Sequence, residues 1–194
     1  MSKIVILGAG ISGHVAASHL RRKLSKNHDV VVVSPNSNYQ WIPSNIWVGI
    51  GRMKSKKILF PLAPLYKKKG IDFKQAKAIT FYPEGDKTEK KPYVLSEYVA
   101  GDNKGKQEKV TYDYLINATG PKLNFEATDG LIPGKNKVYS VCTYTHADHA
   151  WEGLHALIQD MKQGKKAKIL IGTGHAKSTC QGAAFEYILN VEQE

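Results

Sequence analysis

Two kinds of residue in this chain are equipped for chemistry: glycines that bare the backbone, and thiols. Gly8-x-Gly10-x-x-Gly13 lies between the β-branched run Lys3–Leu7 and a helical pattern of Ile11, Val15, Ala16 and Leu20. In that context the motif predicts a tight turn at Gly8, a second glycine over which a pyrophosphate approaches the backbone, and close helix packing at Gly13. Free N–H groups and the positive end of the helix dipole favour a dianion there without a basic side chain. Gly8, Ala9, Gly10, Ser12 and Gly13 are therefore the candidate phosphate cradle, the plain alternative being an ordinary strand-to-helix turn. The chain has two cysteines. Cys180 follows the strand-like Lys168-Ile169-Leu170-Ile171 and the turn Gly172-Thr173-Gly174, and opens a helix expected to run to about Val191, so the helix N-terminus favours its thiolate. Cys142 is close in sequence to His146. Cys142 reads as either a reactive or a buried structural thiol, and His146 as either a proton-transfer group or an ordinary helix-terminal residue. No Cys-x-x-Cys or His-Glu-x-x-His spacing accompanies these residues, so no metal is expected.

These groups need a scaffold, and the sequence predicts one in α/β form. After the first helix, Val30-Val31-Val32-Val33 reads as a second buried parallel strand, completing a βαβ unit. Where a dinucleotide fold usually ends this strand with an acid for the ribose, the chain has Ser34 and Pro35, which argues against NAD in this site and leaves a ribose held by a neutral hydroxyl. Tyr39 to Gly51 is rich in aromatics and glycine; Trp41, Pro43 and Ser44 read either as a wall over an isoalloxazine ring or as ordinary packing. A helix or extended segment follows from Ile58 to Lys69, with Pro61 and Pro64 blurring its start. From Ile71 to Tyr114 the pattern becomes short strands and turns, read as an antiparallel meander inserted in the sheet and including Lys77 and Ala78. It leads into a strand ending in Ala118-Thr119-Gly120. Thr143 or Thr145 then caps a helix with Ala147, Ala150, Leu154 and Leu157 on one face, ended by Gly164.

Composition narrows the partners. Lys and Arg exceed Asp and Glu by 11, which attracts anionic surfaces. The lysines fall mainly in connecting segments without a recognition helix or aromatic platform, so nucleic acid is not expected. They form either a solvated basic face or a membrane-docking patch. No apolar run approaches a membrane span, and the opening lacks the regions of a signal peptide, so synthesis in the cytoplasm is expected. Two cysteines in such a chain read as reactive or buried thiols rather than a disulfide framework.

The glycine-rich strand and helix, the meander, and Tyr112-Asp113-Tyr114-Leu115-x-x-Ala118-Thr119-Gly120 together resemble the flavoproteins with two dinucleotide-binding domains. Pro43-Ser44-Asn45-x-Trp47-Val48-Gly49, Ser140-Val141-Cys142-Thr143-x-x-His146-Ala147 and Ser178-Thr179-Cys180-Gln181-Gly182-Ala183-Ala184-Phe185-Glu186-Tyr187 are similar to segments of sulfide:quinone oxidoreductases. The resemblance implies a Rossmann-like FAD-binding domain with meander over 1–125, a connecting segment and helix over 126–164, and the start of a second Rossmann-like domain over 165–194. It implies FAD as cofactor, bound by the cradle with Ser34, Pro35, Trp41, Pro43, Ser44, Lys77, Ala78, Ala118, Thr119 and Gly120. Sulfide and a quinone are the implied substrates. Cys180 is implied as the persulfide-carrying cysteine that attacks the flavin ring, with Cys142 accessory and His146 near it. A peripheral membrane surface, reached through a C-terminal part that family members possess and this chain lacks, and a homo-oligomer complete the implied partners. Alternatives are a relative of type II NADH:quinone reductases and a non-catalytic FAD-binding module.

Overall fold

The amino-terminal β-branched run forms a strand because its side chains alternate between two faces that are both covered. The computed structural model describes residues 1–178 and 180–194. Thr179, within the Ser178-Thr179-Cys180 run, lies outside the described residues. In chain order the elements are β1 (Lys3–Leu7), α1 (Ile11–Lys23), β2 (Asp29–Val33), β3 (Asn38–Gln40), α2 (Asn45–Gly49), β4 (Leu59–Pro61), α3 (Leu62–Lys69), β5 (Asp72–Lys74), β6 (Ala76–Tyr82), β7 (Tyr93–Tyr98), β8 (Gln107–Thr111), β9 (Tyr114–Asn117), α4 (Tyr144–Lys162) and α5 (Gln181–Glu192). The described residues gather in two compact units, Met1–Tyr39 with Phe60–Pro121 and Gln40–Leu59 with Lys122–Glu194.

The first unit is built on a parallel sheet in the order β5-β2-β1-β9. That is the third, second, first and fourth strands of a dinucleotide-binding half, with the crossover from β1 to β2 made by α1. The period-two pleat sends Ile4, Ile6, Val30 and Val32 to one face, where they pack with Ala17, Leu62 and Tyr66 from α1 and α3. Val5, Leu7, Val31 and Val33 go to the other face, against Ala76, Val94 and Val110. Burial on both faces explains why the strands read as unbroken apolar runs, each such side chain contributing about 1.5–3 kcal/mol. Basic residues Arg21, Arg22 and Lys23 close α1, complementing the negative end of its dipole.

Two strand expectations are corrected. Ile71-Asp72-Phe73 is not part of the meander: Asp72–Lys74 pairs in parallel with Val31–Val33 and extends the main sheet, because β2 would otherwise present a bare edge. The meander β6-β7-β8 is a separate antiparallel sheet covering one face of the parallel one, rather than an insertion between its strands. Its third strand, Gln107–Thr111, has a polar sequence that hid it; Val110 alone is buried there.

In the second unit Val48, Ile58 and Ala147 form the core, so residues 40–59, read from sequence as part of the first domain, pack with the C-terminal segment. Thr143 rather than Thr145 caps α4, its Oγ1 accepting the His146 N–H at 3.2 Å. Ala147, Ala150 and Leu154 line the buried face of α4. At its end Gly164 (φ +83) allows a Schellman closure, with Gly164 N–H donating to Met161 O at 2.9 Å and Lys165 N–H to Asp160 O at 3.2 Å. The strand expected at Lys168–Ile171 is not formed. No strand among the described residues pairs with it, and Leu170 is 92 % exposed; an apolar tetrapeptide becomes a strand only where a neighbour takes its backbone hydrogen bonds. Among the described residues no helix is long and apolar enough to cross a membrane.

Candidate functional site

The ends of three parallel strands converge on the glycine turn. Gly8 N–H donates to Val33 O and Ala118 N–H to Leu7 O, both at 2.8 Å, so the loops after β1, β2 and β9 share the carboxyl edge of the sheet, where ligands of such folds bind. Gly8 has φ +94, and a Cβ on it would stand 2.3 Å from Ala118 O. A Cβ on Gly13 would stand 2.0 Å from Gly8 O. Both glycines are thus required by the chain's own packing. Gly10 is different: no atom of the described residues lies within 4 Å of its would-be Cβ. It is the N-cap of α1, no side chain caps that end, and the first turn holds no acidic residue, so the early N–H groups, Ser12 and Gly13 among them, lack intrahelical partners. Open space over a glycine, beside unpaired donors at a helix N-terminus, fits a pyrophosphate.

The flanking candidates follow from the same edge. Ala9 is buried in the core. Ser34 is 1 % exposed and its Oγ accepts the Asn36 N–H at 3.3 Å, while Pro35 is exposed. The carbonyl of Ser34 accepts from Ala76 N–H at 3.1 Å, which ties the end of β2 to the start of β6, where Lys77 is exposed and Ala78 half-buried. Asn117 Oδ1 accepts from the Thr119 N–H at 3.2 Å and from its hydroxyl at 2.9 Å. This side-chain turn, unrecognised from sequence, shapes the Ala118-Thr119-Gly120 corner. Also unforeseen is His14, whose Nδ1 lies 3.1 Å from the buried Tyr66 hydroxyl with the rings stacked at 5.6 Å. Burial and then Lys69 hold the imidazole below its usual range; burial and then Tyr39 push the Tyr66 phenol up to about 12.

The remaining candidates belong to the second unit. Trp41 and Pro43 are exposed and Ser44 half-buried in a 3₁₀ turn. Cys142 and Cys180 are free and exposed, contrary to the buried-thiol reading of Cys142. Cys142 N–H donates to Ser140 Oγ at 3.1 Å. Cys180 is the N-cap of α5, an end that no side chain of the described residues caps. The His146 ring meets Phe125 edge-on at 5.1 Å, and its buried Nδ1 has no partner among the described residues. Among the described residues no three His, Cys, Asp or Glu gather closely enough to hold a metal. Two residues that the sequence shows only as part of a motif anchor this unit. Asn45, 2 % exposed, donates from Nδ2 to Val141 O at 2.9 Å and accepts from Gln40 at 2.8 Å; Gly49 O accepts the Tyr187 hydroxyl at 2.9 Å.

Comparison with known proteins agrees with this geometry. The family described as pyridine nucleotide-disulphide oxidoreductase matches residues 2–176. The sulfide-quinone reductase of Aquifex aeolicus is 28 % identical over 191 residues, 98 % of this chain and 39 % of its own length. An external alternative NAD(P)H-ubiquinone oxidoreductase of Arabidopsis thaliana is 32 % identical over 129 residues, 66 % of this chain and 21 % of its own. The crystal structure of the Aquifex aeolicus sulfide:quinone oxidoreductase superposes with a TM-score of 0.73 at 26 % identity, covering 97 % of this chain and 38 % of that one. The chain thus spans about two-fifths of the length of the sulfide-quinone reductase it resembles. The chain belongs to the pyridine nucleotide-disulphide oxidoreductase family, whose members are FAD-binding oxidoreductases.

Proposed function

We propose that this chain is the FAD-binding portion of a flavoenzyme that oxidises sulfide to zero-valent sulfur and passes the electrons to a membrane quinone. The observation that carries it is Cys180, an exposed thiol at the N-terminus of a 12-residue helix, in a chain similar to a sulfide-quinone reductase over 98 % of its length. Gly8, Ala9, Gly10, Ser12 and Gly13 hold the pyrophosphate on backbone N–H groups. Ser34 and Pro35 serve the ribose side, and Lys77 and Ala78 with Ala118, Thr119 and Gly120 the pocket wall; Trp41, Pro43 and Ser44 are assigned to the ring by the family resemblance alone. FAD held there would supply a two-electron acceptor between sulfide and the quinone. Cys180 thiolate and HS⁻ together give a persulfide anion, one proton and two electrons, and this S–S bond forms only because bound FAD would accept those two electrons. Cys142 accepts or relays sulfur as an accessory thiol, and the unpartnered Nδ1 of His146 offers a place for the proton. A quinone substrate puts the protein at a membrane surface as a peripheral partner, with sulfide arriving from solution and homo-oligomers compatible with the scheme.

The second reading replaces sulfide by NADH and is favoured by the 32 % identity to the Arabidopsis thaliana NAD(P)H-ubiquinone oxidoreductase. Anaerobic stopped-flow of the FAD-loaded protein separates the two. Bleaching of the flavin by sulfide, abolished in Cys180→Ser and only slowed in Cys142→Ser, supports the sulfide reading. Bleaching by NADH alone selects the second, and a flavin that neither donor reduces leaves a binding module.

A further inference from the structure

We infer that α2 sets the spacing between the two cysteine-bearing segments, with Gly49 as the positioning residue. The inference rests on the reading of Cys142 and Cys180 as a working pair. Gly49 is the last residue of α2 and has no left-handed φ, so its reason is space rather than backbone freedom. A Cβ on Gly49 would stand 2.8 Å from Val141 Cγ1, 3.1 Å from Tyr187 Oη and 3.2 Å from Tyr187 Cε2. The first of these residues precedes Cys142. The second is on α5, seven residues and so about 10 Å along the axis from Cys180.

The two contacts are fastened as well as packed. Asn45 Nδ2 holds the Val141 carbonyl on one side, and its own Oδ1 is satisfied by Gln40. On the other side Tyr187 donates to the Gly49 carbonyl, and burial keeps that phenol protonated up to about 12. A five-residue helix is thus pinned at one end to the strand of chain carrying Cys142 and at the other to the helix headed by Cys180. Ordinary contact starts at 3.4 Å, so even one methyl group at position 49 must push Val141, Tyr187 or both away. Close-packed neighbours pass such a displacement on rather than absorbing it.

The test measures a distance. Cys142 and Cys180 are the chain's two cysteines, so nitroxide labels on them report their separation by pulsed electron–electron resonance, without sulfide or flavin reduction. Gly49→Val is expected to move the mean separation by about 2 Å or to broaden the distribution twofold, and Gly49→Ala to do so less. Gly49→Ala with Val141→Ala removes the tightest contact and is expected to restore the original distribution. Gly182→Ala, on α5 where a Cβ meets nothing within 4 Å, is expected to change nothing. If Gly49→Val unfolds the chain, Gly49→Ala and its rescue decide. A folded Gly49 variant with the original distribution overturns the inference, as does an equal shift from Gly182→Ala. A protein inert to sulfide with these shifts intact overturns the proposed reaction and leaves the spacing role standing.

Discussion

Replacing the three motif glycines one at a time separates what the fold needs from what a ligand needs. Gly8→Ala puts a side chain at φ +94 with its Cβ 2.3 Å from Ala118 O. The left-handed strain alone is about 1–2 kcal/mol, and relieving the contact means opening the β1–β9 ladder, for a total of about 3 kcal/mol or more. Gly13→Ala meets Gly8 O at 2.0 Å and belongs to the same class. Gly10→Ala meets nothing of the protein, keeps an ordinary φ of −71, and loses only the N-cap preference of glycine over alanine, about 0.5–1 kcal/mol. Its methyl group does, however, occupy the volume over which a pyrophosphate would pass. Backing the phosphates off by about a bond length forfeits at least one charge-assisted hydrogen bond, about 1.5–3 kcal/mol, or about ten- to a hundredfold in FAD affinity. Urea unfolding without cofactor measures the first quantity and flavin fluorescence titration the second. Gly10→Ala binding FAD within twofold of the parent, or destabilised as much as Gly8→Ala, would refute the assignment.

Two further predictions concern the supports of the cradle. His14 is held below its ordinary 6.5 by burial first and Lys69 second; the unfolded chain therefore takes up the proton at higher pH than the folded one, and stability is full above about pH 6.5 and falls as pH drops through the folded value. Replacing both partners, His14→Phe with Tyr66→Phe, is expected to flatten the fall of the urea midpoint between pH 7.5 and 5, and an unchanged slope would assign it elsewhere. Lys74 ties β5 to the meander, its Nζ standing 3.0 Å from Glu108 Oε1 and 3.6 Å from Asp72 Oδ2. Burial works against the Glu108 carboxylate, but bonds from Tyr98 and Lys74 outweigh it and hold the group below 4.5, so this support is present above pH 4.5 and lost as pH falls further. With Lys74 mostly buried and Glu108 partly exposed, Lys74→Met is expected to cost about 1–2 kcal/mol; a double-mutant cycle with Glu108→Gln showing no coupling would discard the pair.

Sequence reading succeeded where the backbone itself demands a residue type and failed where a distant partner decides. The glycine turn and the valine strand announce local geometry and form as expected, whereas the strand read through Ala118-Thr119-Gly120 stops at Asn117, whose side chain turns the chain there. The short run Asp72-Phe73-Lys74 carries no such demand: it becomes a parallel strand because the edge of β2 needs pairing, while the far more apolar Lys168–Ile171, with no partner among the described residues, does not become one. Ser34 was found by its position at the end of β2, yet not its burial or its bond to Asn36. Asn45 and Gly49 were invisible as anchors because the atoms they hold, on Val141 and Tyr187, come 96 and 138 residues later.

The glycines show why the distinction matters for inferring function. Gly8 is fixed by its own φ, Gly13 and Gly49 by neighbours in the chain that leave no room for a Cβ, and all three would be needed if nothing were ever bound. Their presence is evidence about folding. Gly10 has an ordinary φ and empty space around it, so neither strain nor packing accounts for it. At an uncapped helix N-terminus alanine would be poorer than glycine by less than one kcal/mol, too small a difference to exclude other residues by itself. What remains is the approach of something outside the chain, closer to the backbone than a methyl group allows and drawn by unpaired N–H groups. The ligand is therefore inferred from the one motif position at which the protein has no use for glycine.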